Sequence, residues 1–200
     1  NGVFSLKDNQ QHEIRTTINH LVENTKSYQL IKSVLGKMSK AVYQGKIFVN
    51  SKAQKTDGYQ LSKAILLDEN SEFNAKPELE IYADDVKCSH GSTSGNIDTD
   101  ALFYLKARGI KEKEAIQMIV KGFLESVLKN IKNKEIVETL ESHLNTHIKY
   151  FCKISYHFLF ISSIIHLLGT IFVITIIVHS VRMSGGVMLV THLAGDARSG

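Results

Sequence analysis

Strict apolar–polar alternation over short runs, recurring before any helical pattern begins, most narrows what this chain can fold into. Tyr43, Gly45, Ile47 and Val49 fall on one side of such a run, with Gln44, Lys46, Phe48 and Asn50 opposite. Thr16, Ile18, His20 and Val22 share one face of a second run, and Leu79, Ile81 and Ala83 alternate with Glu80, Tyr82 and Asp84 in a third. Successive side chains of a strand point to opposite faces, so this period predicts half-buried strands. Asp57-Gly58 and the Gly91–Gly95 stretch read as turns between them. No long helix separates the runs, which argues against βαβ units. Residues 1–97 therefore suit a sandwich, a barrel or a β-solenoid, and periodicity does not choose among the three. No clean repeat of fixed length is visible in them.

From 98 to 150 the pattern becomes helical. Asp98 is placed to N-cap a helix through Ala101-Leu102-Phe103-Tyr104-Leu105, and Gly109 suits the position just past its end. Ala115, Ile116, Ile119, Val120, Phe123, Leu124, Val127 and Leu128 recur at helical spacing. So do Val137, Leu140, Leu144 and Ile148. Both stripes are amphipathic and need a surface to cover them.

From 151 to 200 the composition changes abruptly. Ile154 to Val181 contains no Asp, Glu, Lys or Arg, and His157, His166 and His179 lie within it. Length and charge depletion make the 154–181 segment a transmembrane candidate. The chain begins Asn1-Gly2-Val3-Phe4, without Met and already in patterned sequence, as expected of a fragment of a longer protein.

Charge excludes some functions. The chain has 24 Lys and Arg against 20 Asp and Glu. No basic stripe interleaved with aromatics appears, so no nucleic-acid partner is expected. Two cysteines, Cys88 and Cys152, cannot build a disulfide framework, and a reducing compartment follows. No GxxxxGK[ST] loop for a nucleotide is present.

The stretch that carries chemistry runs from Leu79 to Gly91 and contains Cys88 and His90, two residues apart. If a strand continues through them, both side chains point to the same face. A thiolate beside an imidazole can bind Zn, Fe or Cu, or form a nucleophile–base pair. Packed or surface Cys and His are the commoner case. Two ligands are also too few, since closed zinc sites and ordinary iron–sulfur clusters take about four. With no CxxC in the chain, another segment or another chain would have to complete the site.

Residues 41–128 resemble the SufB/SufD family of iron–sulfur cluster assembly scaffold proteins. The resemblance is carried by Tyr43–Val49, by Ala53-Gln54-Lys55-Thr56-Asp57-Gly58-Tyr59-Gln60, by Lys76–Gly91 and by Leu102–Ile110. These blocks are collinear and free of large gaps. Ala83–Gly91 and Leu102–Ile110 are similar to the SufD branch, and residues 1–40 fit more loosely. The resemblance implies a right-handed parallel β-helix, of which 1–97 forms the C-terminal rungs. A small helical domain over 98–150 and an apolar tail over 151–200 follow.

It also implies function. The partners are SufB, the paralogous scaffold subunit, and SufC, an ATPase that the helical region engages. A paired homodimer is the alternative assembly. His90 matches the histidine proposed to ligate the nascent cluster at the interface of the two scaffold subunits, with Cys88 a second candidate beside it. The cofactor implied is a transient iron–sulfur cluster shared with the partner. The scaffold itself is not an enzyme, and its expected place is the cytoplasm, or the plastid stroma in a plastid-bearing organism.

Other residues read more plainly. Asp84-Asp85 suit a solvated strand end better than a cation site, as carboxylates are mostly exposed. Lys55, Asp57 and Gln60 suit turn geometry and solvation between rungs. Arg108 near a helix C-terminus favours the helix dipole. His143 and His147, four apart on a helix, lack a third ligand.

The tail departs from the family. A membrane anchor, a packed apolar helix and a non-native extension all fit 151–200, and the last is favoured because no linker composition marks 149–153. A genuine anchor would instead make the chain a membrane-anchored β-solenoid binding module. A Cys/His metalloenzyme or thiol enzyme is the third class, and it lacks a visible third catalytic group. Mass spectrometry of the protein from native cells should find no peptide from 154–198; recovering one would end the non-native interpretation.

Overall fold

The computed structural model describes residues 1–151 and 188–190. Seven strands come first: β1 (Gly2–Leu6), β2 (Gln11–His20), β3 (Lys26–Leu35), β4 (Lys40–Val49), β5 (Asp57–Leu66), β6 (Glu72–Ile81) and β7 (Lys87–Asn96). They alternate between two sheets. One runs β7-β5-β3-β1 and the other β2-β4-β6, all pairs parallel. The chain winds from one sheet to the other and back, so each circuit stacks on the last as a rung. This is a parallel β-helix of about three turns, the architecture the family resemblance implies.

The rungs are regular although the sequence hides it. Gly2 pairs with Ile31, Lys26 with Asp57, Asp57 with Lys87, Gln11 with Lys40 and Lys40 with Glu72. The spacing thus stays within about a residue or two of 30, too variable and too degenerate to show as a repeat. Asn24 and Lys55 hold equivalent left-handed backbone positions (φ 59° and 58°) in successive turns. Lys55 thus shapes a turn, as expected, and its N–H donates to the Asp85 carbonyl.

Three expectations are corrected. Asp57-Gly58 is not a turn but the first two residues of β5. Gly91–Gly95 is not a turn but the middle of β7. Val22 does not continue β2; it is exposed in the turn after His20. The remaining alternation holds. Tyr43, Gly45, Ile47 and Val49 face the interior of β4, and Thr16, Ile18 and His20 occupy the matching inward positions of β2.

The helices follow: α1 (Thr99–Ala107), α2 (Glu112–Glu125) and α3 (Lys134–Phe151), with a short 3-10 turn at Leu128–Asn130. Asp98 caps α1, its Oδ1 accepting from the N–H groups of Asp100 at 2.9 Å and Ala101 at 3.1 Å. Gly109 (φ 82°) ends it in a Schellman turn, with Gly109 N–H on Lys106 O and Ile110 N–H on Leu105 O. Arg108 stacks 4.4 Å over the Tyr104 ring.

The helical stripes find their cover on the outer face of the first sheet. Val120, Leu124 and Val127, with Leu144 and Ile148 from α3, pack on Val3, Leu30 and Val34. A second core fills the inside of the β-helix, from Phe4, Leu6, Ile14, Ile31, Leu35, Ala41, Tyr43 and Ala64. Lys32 fixes the two parts together. Its Nζ donates to the Phe123 carbonyl at 2.9 Å, near the end of α2, bonds Ser126 Oγ, and lies 4.4 Å over the Phe123 ring. A cation at a helix C-terminus opposes the negative end of the dipole.

Among the described residues no helix is long and apolar enough to cross a membrane. The apolar run 154–181 lies outside them. The tail contributes one described element, β8 (Met188–Val190), antiparallel to β1.

His12 and His20 both point into the interior, and burial pulls their pKa values below the ordinary 6.5. Below pH 6.5 the unfolded chain therefore takes up protons that the folded chain resists. Stability should fall as pH drops from 6.5 and level off once the folded values are passed. Urea midpoints measured from pH 7.5 to 5 should show this, and His12→Gln with His20→Gln should flatten the slope.

Candidate functional site

Cys88 and His90 lie on β7, and β7 is the outermost described strand of its sheet. Register sets their direction. Gly58, Gln60, Ser62 and Ala64 of β5 are buried and inward-facing, and they pair with Cys88, His90, Ser92 and Ser94. The condition set by the sequence is therefore met: the strand does continue, and thiol and imidazole share the inward face. No described strand stacks beyond them. His90, Ser92 and Ser94 are exposed, and Cys88 is half-buried. The interior of the β-helix thus opens at this rung, with the pair at its mouth.

Cys88 leans into apolar surroundings. With Leu79 and Val86 it packs on Ile47, Val49, Ala53 and Ala83. Beneath it Gly58 leaves a gap: a Cβ there would sit 3.3 Å from Cys88 Sγ, 3.5 Å from Ile47 and 3.6 Å from Ser27 Oγ. Burial pushes the thiol pKa up, against a hydrogen bond from the Gly58 backbone, and Asp57 adds to the rise. A thiol held protonated is a poor nucleophile at neutral pH. It becomes a ligand once a metal displaces its proton.

His90 stands at the end of a polar column. Gln29, Gln60 and His90 occupy successive rungs at the same inward position. Thr16 Oγ1 donates to Gln29 Oε1 at 3.0 Å, Gln29 Nε2 to Gln60 Oε1 at 3.3 Å, and Gln60 Nε2 to the Gly45 carbonyl at 3.1 Å. Tyr43 Oη joins Thr16 at 3.2 Å. A second polar group lies one position along, where His20 bonds Thr25 at 2.7 Å and Ser27 at 2.9 Å, and Thr25 bonds Thr56 at 3.1 Å. Gly45 makes the first group fit, because a Cβ there would meet Gln60 Oε1 at 2.5 Å.

Gln60 is thus not a solvated turn residue. It is fully buried, and sequence reasoning missed it because a lone polar side chain in a strand reads as surface. Its alternation with Gly58 and Ser62 was the available signal. Asp84 and Asp85 are separated from one another in environment only slightly, both exposed beyond β6. Asp57 opens β5. His143 Nδ1 is 2.8 Å from the Thr139 carbonyl of its own helix, and the His143–His147 pair lies partly outside what the structure describes. Among the described residues no three His, Cys, Asp or Glu stand close enough to hold a metal ion. Cys88 and His90 are therefore two candidate ligands with no third beside them among the described residues.

Comparison with known proteins places the chain in a family. The family model described as SUF system FeS cluster assembly, SufBD core domain, matches residues 1–123. The iron-sulfur cluster assembly protein SufD of Escherichia coli is 40% identical over 126 residues, covering 63% of this chain and 30% of that protein. The chloroplastic protein ABCI7 of Arabidopsis thaliana is 39% identical over 119 residues, 59% of this chain and 25% of its own length. A SufBD family protein of Synechocystis is 38% identical over 103 residues, 52% of this chain and 23% of its own. The chain spans between about a quarter and a third of the length of these relatives.

Cys88 should alkylate slowly for its exposure. Site-resolved mass spectrometry after iodoacetamide at pH 7.5 should show slower labelling of Cys88 in the folded chain than in urea. The gap should narrow as pH rises and the thiolate forms. Equal rates at pH 7.5 would contradict the raised pKa.

Proposed function

The chain belongs to the SufBD family of iron–sulfur cluster assembly proteins, and on that premise we propose that it serves as a SufD-type scaffold subunit. In this role it helps SufB and SufC build nascent clusters and pass them on. The observation that carries the proposal is the placement of His90 and Cys88 side by side at the open rung.

Their chemistry suits the task. Imidazole and thiolate are the ligands iron–sulfur centres use, and mixed His/Cys ligation is known for such clusters. Two ligands cannot close a cluster by themselves. The remaining ligands then come from a second subunit seated on the open rung, here SufB. The free edges of β6 and β7 lie at that same end, and unpaired edge strands are natural stacking surfaces. A homodimer seated the same way is the alternative assembly. A ligand set divided between two chains can release its cluster when the chains separate. ATP-driven movement of SufC would supply that separation.

The helices suit a SufC contact on their outer side. The stripe of Val120, Leu124, Val127, Leu144 and Ile148 is consumed by packing on β1 and β3. Phe103, Tyr104, Met118 and Ile136 remain exposed, and they are the side chains available to SufC. A scaffold of this kind performs no turnover of its own and works in the cytoplasm, or in the stroma of a plastid.

Anaerobic reconstitution of the full complex tests the site. Replacing His90 by Ala should cut cluster formation by about 10-fold or more, the scale seen when a ligand or its support is removed. Cys88→Ser should lower it less. Unchanged assembly with His90→Ala would remove the site while leaving family membership intact.

A further inference from the structure

The column beneath His90 has a polar capacity that no hydrogen bond among the described residues uses. Gln60 is fully buried, and its amide orientation is fixed. A carbonyl can only accept, so the Gly45 carbonyl at 3.1 Å must face Nε2. Oε1 then takes one hydrogen bond, from Gln29 Nε2 at 3.3 Å, and keeps a second lone pair. The residue directly above, in register, is His90. Neighbouring strands lie about 4.8 Å apart, a gap that an imidazole ring can bridge by turning inward. No hydrogen bond joins the His90 ring to another described residue in its exposed position.

Metal chemistry gives this lone pair a use. A neutral imidazole ligates through one nitrogen, and the proton on the other needs an acceptor, which sets tautomer and ring orientation. We infer that Gln60 is a positioning residue for His90: its Oε1 accepts the inward ring N–H and leaves the outward nitrogen bare for the cluster iron. The inference rests on the proposal that His90 is a cluster ligand. Gly45 belongs to the same device. Its missing side chain is what lets the Gln60 amide sit where it does, and Thr16 and Gln29 hold that amide from the rung below.

The ring reports on the contact before any cluster is present. Nitrogen-15 NMR of the full chain at pH 8 reads the tautomer ratio of the His90 ring. The ratio should be biased relative to the same residue in the urea-unfolded chain. Gln60→Met, which keeps the length and removes the acceptor, should abolish the bias. Gln60→Glu, which keeps acceptor oxygens, should retain it. The His20 ring signals, held by Thr25 and Ser27, report whether each variant is folded. If folded and unfolded wild-type chains give the same His90 ratio, Gln60 does not position the ring, and no variant is needed to decide it.

Reconstitution of the full complex separates this inference from the ligand proposal. Gln60→Met should lower cluster yield about 10-fold, with partial recovery in Gln60→Glu. Normal yield in His90→Ala, together with a Gln60-dependent tautomer bias, would sink the ligand role and leave a contact without that purpose. Loss of yield in His90→Ala, with a tautomer ratio indifferent to Gln60, would overturn positioning alone.

Discussion

In-register parallel pairing is the constraint from which the other features of this chain follow. All ten residues of β3 pair with ten of β5, and all ten of β5 with ten of β7. The second sheet repeats this from β2 through β4 to β6. Because side chains alternate along each strand, pairing without slippage stacks like positions into columns. One column becomes Thr16, Gly45 and Pro77, and another Gln29, Gln60 and His90. A slip of a single residue would turn Gln60 outward and Tyr59 inward. It would also take His90 off the open mouth.

Columns explain how the interior tolerates so much polarity. A buried amide or hydroxyl without a partner costs roughly 1–3 kcal/mol. Stacked rungs bring like positions within hydrogen-bonding reach, so Gln29 and Gln60 satisfy each other, and Thr16 and Tyr43 close the group. His20 is caged in the same way by hydroxyls. Once satisfied, such a network fixes side-chain orientation as firmly as it contributes stability. In its proposed role as a ligand, His90 at the end of the column benefits from that fixity, since its neighbour below cannot rotate freely.

How much of this was readable depended on what each strand faces. β4 announced itself because one side meets the core and the other meets solvent. β3 did not, since Leu30, Ile31, Lys32, Ser33, Val34 and Leu35 are all buried. Its outer side lies under α2 and its inner side lines the β-helix, so period 2 vanishes. β7 failed to show for the opposite reason. Its inward row at the open rung is small and polar, and Gly91 and Gly95 imitate a turn. The helices were legible down to the cap at Asp98 and the glycine at 109, because capping is local chemistry. The two-residue spacing of Cys88 and His90 could be read as one face only on condition of a strand. The pair was therefore legible, whereas the buried Gln60 beneath His90, 30 positions earlier in register, was not.

The position of the pair at an end of the stack bears on what it can do. Within the stack each inward residue is covered from above and below, and a metal bound there would be held permanently. Among the described strands, Cys88 and His90 are covered only from below, by Gly58 and Gln60. On the proposed ligand role, whatever supplies the remaining ligands must approach along the axis of the β-helix, as another rung would. On the proposed function, binding a cluster and seating a partner on β6 and β7 become one event, and neither persists without the other. By linkage, anything that favours the seated partner favours the bound cluster by the same free energy, and anything that pries the rungs apart expels it. An incomplete site at an exposed edge is a poor place to store a cluster. It is well suited to building one and giving it away.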